Sequence, residues 1–390
     1  MEGSHKLIVC LKRQIHASYY DLFTIRGHHA RVASLIWLVR ERRKKGVAVM
    51  RQGIVAGRQD VCVTILLSTY NGAAFLSAQL ESFLAQTHQN WMLYWRDDGS
   101  CDETVAIMQA FATHVGPQRC VMSPTSGVHK GVLDSFLTLL REQVGAPLVA
   151  FADQDDVWLL GKLDAAVSAL KEADAEPALY CARQYLVDSL LGNPRLSIAY
   201  KSVPAFPGCL AYNLANGNSI VMNQAAVALV ARAKEPEGTV HDWWSYIVVS
   251  ACGGKVIFDP QPQLFYRLHK ANVIGRAQPF MQRARAALQR GSLIYMTMMR
   301  RHLEALKQSA LPLTREANQS IALLLKGMQK NPLRRLAALR CKHFHRATKL
   351  ETLLFRYWFL TNRSAVREFS QLASLPVHRS VEGKVGQSSR

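Results

Sequence analysis

The stretch "VCVTILLSTYNGAAFLSAQLESFLAQ", Val61–Gln86, decides how the chain folds. Val61 to Leu67 is a β-branched and aliphatic run, and Ser68, Asn71 and Gly72 behind it are turn formers. Phe75, Leu76, Leu80, Phe83 and Leu84 then recur at helical spacing. The order is strand, turn, helix, and the chain repeats it. "WMLYWRDDGS" (Trp91–Ser100) reads as a strand, and "DETVAIMQAF" (Asp102–Phe111) as a helix with Asp102 as its N-cap. "RCVM" and "GVLDSFLTLLREQ" give a third pair, "LVAFA" and "KLDAAVSALKEA" a fourth. Strands alternating with helices of this length predict an α/β fold, a mostly parallel sheet covered by helices on both faces. Ligands in such sheets bind beyond the carboxyl ends of the strands. Here those ends carry "STYNG", "RDDGS" and, after Leu148–Ala152, "DQDD", so all three are expected on one rim.

The last of these, "FADQDDVW" (Phe151–Trp158), places Asp153, Asp155 and Asp156 directly after a buried-type run. Converging carboxylates repel and raise one another's pKa unless a cation sits among them. Hard oxygen donors of this kind suit Mg²⁺ or Mn²⁺, with substrate phosphates completing the shell. The plainer alternative is helix capping by Asp155 or Asp156 ahead of Lys162-Leu163.

The charge of +20 over 390 residues is unevenly spread. Residues 1–58 hold 12 Lys/Arg against 3 Asp/Glu, residues 59–275 hold 14 against 20, and residues 276–390 hold 22 against 5. A mildly acidic globular block between basic flanks argues against a nucleic-acid-binding protein, whose positive charge would lie on the folded face. Residues 1–58, with "RERRKKG", read as a solvated basic tail or as an over-long gene start upstream of Met50. From Arg276 the chain is arginine-rich and helix-forming through 378, interrupted at Asn331-Pro332, and 379–390 reads as a disordered tail. The basic helices either pack on the core with a solvated face or lie on an anionic membrane surface. In the second case, truncation near Arg276 is expected to leave nucleotide binding intact. No apolar run approaches the ~20 residues of a membrane span. Eight scattered cysteines form no disulfide framework or C-x-x-C pair.

The motifs quoted above, in their order and spacing, resemble the family-2 glycosyltransferases, which have the GT-A nucleotide-sugar fold. "NGNSIVMN" (Asn216–Asn223), "HDWW" (His241–Trp244) and "YRLHKANVIG" (Tyr266–Gly275) are similar to the bacterial rhamnosyltransferase branch. The likeness covers about Val61 to Gly275. Gly217-Asn218-Ser219 departs from the family's glycine-cysteine-threonine type motif, and "YRLHKAN" from its usual "YRQHGNN". The resemblance implies a metal-dependent inverting transfer of a sugar, L-rhamnose from a dTDP donor, to a lipid-linked or cell-surface glycan, at the cytoplasmic face of the plasma membrane. It implies that Thr69 and Tyr70 contact the nucleotide and that Asp97 or Asp98 reads the base. Asp153 would lie near the ribose, Asp155 would be the main metal ligand, and Asp242 the catalytic base. Asp153 and His269 are further candidate metal ligands, and Lys162 and Arg267 candidate phosphate partners. Asp242 can equally be an N-cap, and Trp243 and Trp244 read as core. A nucleotidyltransferase would want a lysine in the first loop, which "STYNGAAF" lacks, and an aspartyl phosphatase would carry its acidic pair after the first strand.

Overall fold

The computed structural model describes residues 61–361 apart from 174, 201, 270–279, 330, 342 and 347–348. The expectations for 1–58 and 379–390, and for the Lys270–Gly275 part of the last motif, lie outside the described residues. The first half follows the predicted alternation: β1 (Val63–Thr69), α1 (Ala73–Leu84), β2 (Trp91–Asp97), α2 (Thr104–Val115), β3 (Cys120–Met122), α3 (Val132–Glu142), β4 (Leu148–Ala152), the short β5 (Val157–Trp158) and α4 (Lys162–Lys171). The second half adds β6 (Ala178–Val187), β7 (Arg195–Leu196), β8 (Val221–Asn223), α5 (Gln224–Arg232), α6 (His241–Ala251) and β9 (Lys255–Arg267). Helices α7 (Phe280–Gln308), α8 (Arg315–Gly327), α9 (Pro332–Ala338) and α10 (Lys349–Thr361) follow.

One sheet runs in the order β3-β2-β1-β4-β8-β6-β9-β5, with β7 beside β6. Strands β3, β2, β1 and β4 are parallel to their neighbours. Beyond β4 the sheet is mixed, because β8 enters antiparallel to both β4 and β6 while β6 and β9 run parallel. Alternate strand residues serve opposite faces. Val63, Ile65 and Leu67 pack with α1, α2 and α4, whereas Leu66, Val149 and Phe151 pack with α3, α5 and α6. Burial on both faces is why these strands read as continuous apolar runs rather than alternating ones.

Register brings the strand ends together. Thr69 lies opposite Asp97 and Leu67 opposite Ala152, so the loops after β1, β2 and β4 leave the sheet at one rim. Local chemistry then fixes individual turns. Asn223 starts α5 by accepting from Ala226 N (3.0 Å), and it also accepts from Ala178 N (2.9 Å). At the predicted break, Asn331 accepts from Leu333 N (2.9 Å) and Pro332 opens α9, so the break is a helix start.

The C-terminal helices do not form a detachable arm. Met299, Leu303 and Leu306 of α7, Ile321 and Leu324 of α8, and Phe355 and Phe359 of α10 belong to the same buried cluster as Trp244, Ile247 and Val248 of α6. The Tyr295 hydroxyl donates to the carbonyls of Leu210 (2.9 Å) and Ala211 (2.7 Å), and Arg346 donates to the latter (2.9 Å). Truncation near Arg276 would uncover this core, so it is not expected to leave nucleotide binding intact. No described helix is long and apolar enough to cross a membrane.

Candidate active site

The rim is assembled by side chains that reach between its loops. Thr69, buried at the end of β1, donates from Oγ1 to Asp97 Oδ1 (3.0 Å). Asp97 also accepts from Ser100 Oγ (2.6 Å) and from the amides of Gly99 (3.0 Å) and Ser100 (2.8 Å). This tight loop needs Gly99 at φ +87°, in the left-handed region that other residues rarely adopt. Asp98 points the other way. It accepts from Arg96 (2.5 Å), Ser135 Oγ (3.0 Å) and the amides of Lys130 (2.7 Å) and Gly131 (2.9 Å), with His129 Nδ1 at 2.9 Å. Burial works to raise its pKa, yet these donors hold the carboxyl below the usual range.

Tyr70 is exposed, and its backbone is clasped by Gln154. The Tyr70 amide donates to Gln154 Oε1 and the Tyr70 carbonyl accepts from Gln154 Nε2, both at 2.9 Å. The first loop is thereby fastened to the acidic one. The signal was present in the sequence, since an amide placed among carboxylates is the one side chain there able both to donate and to accept.

Asp153, Asp155 and Asp156 each offer an oxygen, all within 4.8 Å of one another. Their settings differ. Asp156 is fully buried, accepting from Asn218 Nδ2 (2.5 Å) and the Arg267 amide (3.1 Å). Asp155 is partly exposed, with Oδ2 2.6 Å from His269 Nε2. Burial, then the charges of Asp155 and Asp242, push Asp153 up to about 7, opposed by Lys162. Burial, then Asp155 and Asp153, likewise raise Asp156. Helix capping does not account for the cluster: α4 begins at Lys162 without a side-chain cap, and the Leu163 amide is taken by Gln86 Oε1 (3.1 Å).

Lys162 is fully buried, not a surface group. Its Nζ lies 3.2 Å from the centroid of the Trp158 ring and has no hydrogen-bond partner among the described residues. Burial pushes its pKa down, opposed by Asp156 and Asp153, so it lies close enough to feel the acidic loop from inside. Arg267 is also buried. It donates to the carbonyls of Asp155 (2.7 Å) and Ser189 (2.6 Å) and packs over Phe75, which makes it a clamp on the acidic loop.

Asp242 stands in the first turn of α6, partly exposed. Its carboxylate accepts from the amides of Gly217 (3.0 Å) and Trp243 (2.5 Å), so it bridges two segments as well as serving its helix. Burial pushes it up to about 6, against those amides and the Asn213 side chain. Trp244 is core, and Trp243 donates from Nε1 to Cys209 O (2.8 Å). His241 is wedged between Phe136 and Phe151 (centroids 4.1 and 4.9 Å), where burial pushes its pKa down to about 3. A Cβ on Gly217 would lie 2.6 Å from His241 Nε2. Gly217→Ala is therefore expected to destabilise the protein by about 1–3 kcal/mol, an overpacking cost readable as a lowered Tm. The same change disturbs the backbone amide that donates to Asp242.

Asp153 and Asp155 are thus partly exposed beside the buried Asp156 and Lys162, with Asp242 near enough for its charge to act on Asp153. The donor set is hard, mutually repelling oxygen with an imidazole alongside, which fits a divalent cation.

Residues 64–233 match the sequence profile of Glycosyl transferase family 2. Among curated proteins, the dTDP-rhamnosyl transferase RfbG of Shigella flexneri is 25% identical over 218 residues, covering 54% of this chain and 73% of that one. The UDP-Glc:alpha-D-GlcNAc-diphosphoundecaprenol beta-1,3-glucosyltransferase WfgD of Escherichia coli is 32% identical over 111 residues, 28% of this chain and 42% of that one. Among solved structures, S. aureus TarS 1-349 in complex with UDP-GlcNAc superposes with a TM-score of 0.50 at 12% identity, over 72% of this chain and 79% of that one. That likeness is one of fold, the α/β arrangement described above.

Proposed function

Because the chain belongs to glycosyl transferase family 2, we propose that it transfers a hexosyl group from a pyrimidine nucleoside-diphosphate sugar to a hydroxyl of a lipid-linked glycan, with inversion at the anomeric carbon. The observation that carries this reading is the clustering of Asp153, Asp155 and Asp156 oxygens within 4.8 Å of one another, with Asp242 near enough for its charge to act on Asp153. dTDP-L-rhamnose is the donor we favour, on the likeness to the Shigella relative. The lipid-linked acceptor is favoured by the name of the Escherichia relative, which acts on a diphosphoundecaprenol-linked sugar.

Each role follows from surroundings. Asp97 reads the base in preference to Asp98. Each accepts from two amides, but the remaining partners of Asp97 are hydroxyls, Thr69 and Ser100, that can rotate away, whereas Asp98 is also held by the buried Arg96 guanidinium. The exposed Tyr70 ring offers the base a flat apolar face. Asp155 and Asp153, with His269, would hold Mg²⁺ or Mn²⁺, which when bound supplies positive charge to the departing nucleoside diphosphate. Asp153 is placed to receive the ribose or sugar hydroxyls. Lys162 serves as a counter-charge behind Asp153 and Asp156, and it does not touch the donor. Asp242 takes the proton of the acceptor hydroxyl as that oxygen attacks, and its amide donors keep the carboxylate aimed. A single carboxylate acting as base on the acceptor side gives one displacement and hence inversion.

The reading is tested by a thermal-shift series with dTDP, UDP, GDP and their sugars, with and without Mn²⁺. At about 100 times Kd a ligand stabilises by ~2.7 kcal/mol, which is readily measured. Stabilisation by a pyrimidine diphosphate that depends on the metal is expected. Equal response to GDP, or none to any nucleotide, would refute the donor class.

The pH profile gives an independent check. Asp242 acts deprotonated, and its carboxyl titrates at about 6. kcat/KM should therefore fall about tenfold per pH unit below that value and level off above it. The stability term has the opposite sense, since ionising a buried carboxyl whose pKa is raised costs folding energy as pH climbs from the unfolded value through about 6.

A further inference from the structure

Helix α10 carries an apolar stripe that no described residue covers. Leu350 and Leu353 are each 67% exposed and Tyr357 60%, and Leu360 completes the row. Their spacing of three, four and three residues confines them to about 80° of the helix circumference at 100° per residue. Phe355 and Phe359 lie on the opposite side, buried in the core, so the helix is apolar on both faces. On the outward arc the stripe is bordered by Lys349 and Arg356, both exposed, and no acidic residue is exposed on it. Helix α9 is bound to the end of α10 by Arg335, which donates to the Leu360 carbonyl (2.7 Å). It adds Leu333, 75% exposed, and Leu336 beside exposed Arg334 and Arg340.

We infer that the outward faces of α10 and α9 rest on an anionic lipid bilayer. Charge chooses the occupant. An apolar row flanked by cations buries its side chains among acyl chains while the cations meet lipid headgroups. A nucleic acid would have no use for four exposed leucine and tyrosine side chains in line. A soluble protein partner would not call for the excess of 22 Lys/Arg over 5 Asp/Glu carried from residue 276 onward. Position gives the surface its purpose. Behind this face, Tyr295 of α7 packs against Phe355 and Trp358 of α10, and Tyr295 and Arg346, three residues before α10, donate to the carbonyls of Leu210 and Ala211, just ahead of Asn213 and Gly217, which hold Asp242. Through Tyr295, α10 is thus joined to the loop that holds Asp242, the side on which a lipid-linked acceptor would arrive. The inference rests on the proposed function for that purpose only, and its evidence is the surface itself.

The experiment is vesicle co-sedimentation of the full chain, using phosphatidylglycerol–phosphatidylcholine vesicles and phosphatidylcholine vesicles alone. Wild type should bind the anionic vesicles and be released by high salt, as screened charge requires. The Leu350→Ser/Leu353→Ser/Tyr357→Ser variant should lose binding by roughly tenfold or more, with Tm and nucleotide-induced stabilisation in lipid-free buffer unchanged. Should the triple variant misfold, Leu353→Gln alone and the Lys349→Gln/Arg356→Gln pair give graded losses on a smaller scale. Wild-type failure to sediment overturns the inference, as does undiminished binding by a folded variant. A lower Tm with undiminished binding would assign the stripe to a covering segment of the same chain. Conversion of a wild-type dimer into a monomer in light scattering would assign it to a second copy. Nucleotide stabilisation, measured without vesicles, separates failure here from failure of the proposed function.

Discussion

Asp242→Asn is expected to lower kcat by about 10²–10⁴, the range a positioned general base contributes, with nucleotide binding unchanged. The amide has the shape of the carboxylate but a single acceptor oxygen, so it keeps only one of the two amide hydrogen bonds, from Gly217 to Oδ2 or from Trp243 to Oδ1. What is lost is the ability to receive a proton. Two readouts separate this from a structural defect. The Tm should change little, because relief of a poorly solvated charge is offset by the loss of one amide hydrogen bond. The acidic limb near pH 6 should vanish from whatever activity remains. Steady-state kinetics against pH on both proteins decides the matter. A kcat within a fewfold of wild type, with the limb retained, would remove Asp242 from the reaction.

Asp155→Ala addresses the other side of the bond being broken. Turnover should fall by about 10²–10³ or more, the scale seen when one preorganised electrostatic contact to a developing charge is removed. The diagnostic result is in binding. The Mn²⁺-dependent part of nucleotide stabilisation should disappear, while folding is preserved, because Arg267 grips the Asp155 main-chain carbonyl rather than its side chain. Loss of the carboxylate also releases His269 from its 2.6 Å partner. Asp155→Ala that retains full metal-dependent stabilisation would show that the cluster is held together for packing alone.

Parts of this were legible before any coordinates. The three acidic or polar loops were expected on one rim, and the Thr69–Asp97 and Tyr70–Gln154 bonds join them there. The choice between Asp97 and Asp98 was not legible. Neighbouring residues at a strand end turn to opposite sides, and what each meets comes from elsewhere: Ser100 for one, and Arg96, Ser135 and the Lys130–Gly131 amides for the other. Lys162 looked available for a phosphate because a lysine near a loop is normally solvated, yet the chain folds it under Trp158. The basic helices were read correctly as helices, but composition does not reveal that α7 and α8 complete the core beside α6.

The amino-acid order by itself determined the strand–helix alternation, the apolar runs buried on both faces, the acidic strand ends and the basic flanks. Each of these is written in periods of a few residues and needs only the local backbone. Tertiary structure alone decided which carboxylate of the cluster turns inward. Asp156 is turned inward by Asn218 and Arg267, which lie 62 and 111 residues away along the chain. A carboxylate's proton affinity and direction depend on what surrounds it within a few ångströms, and those neighbours are brought there by the closing of the sheet.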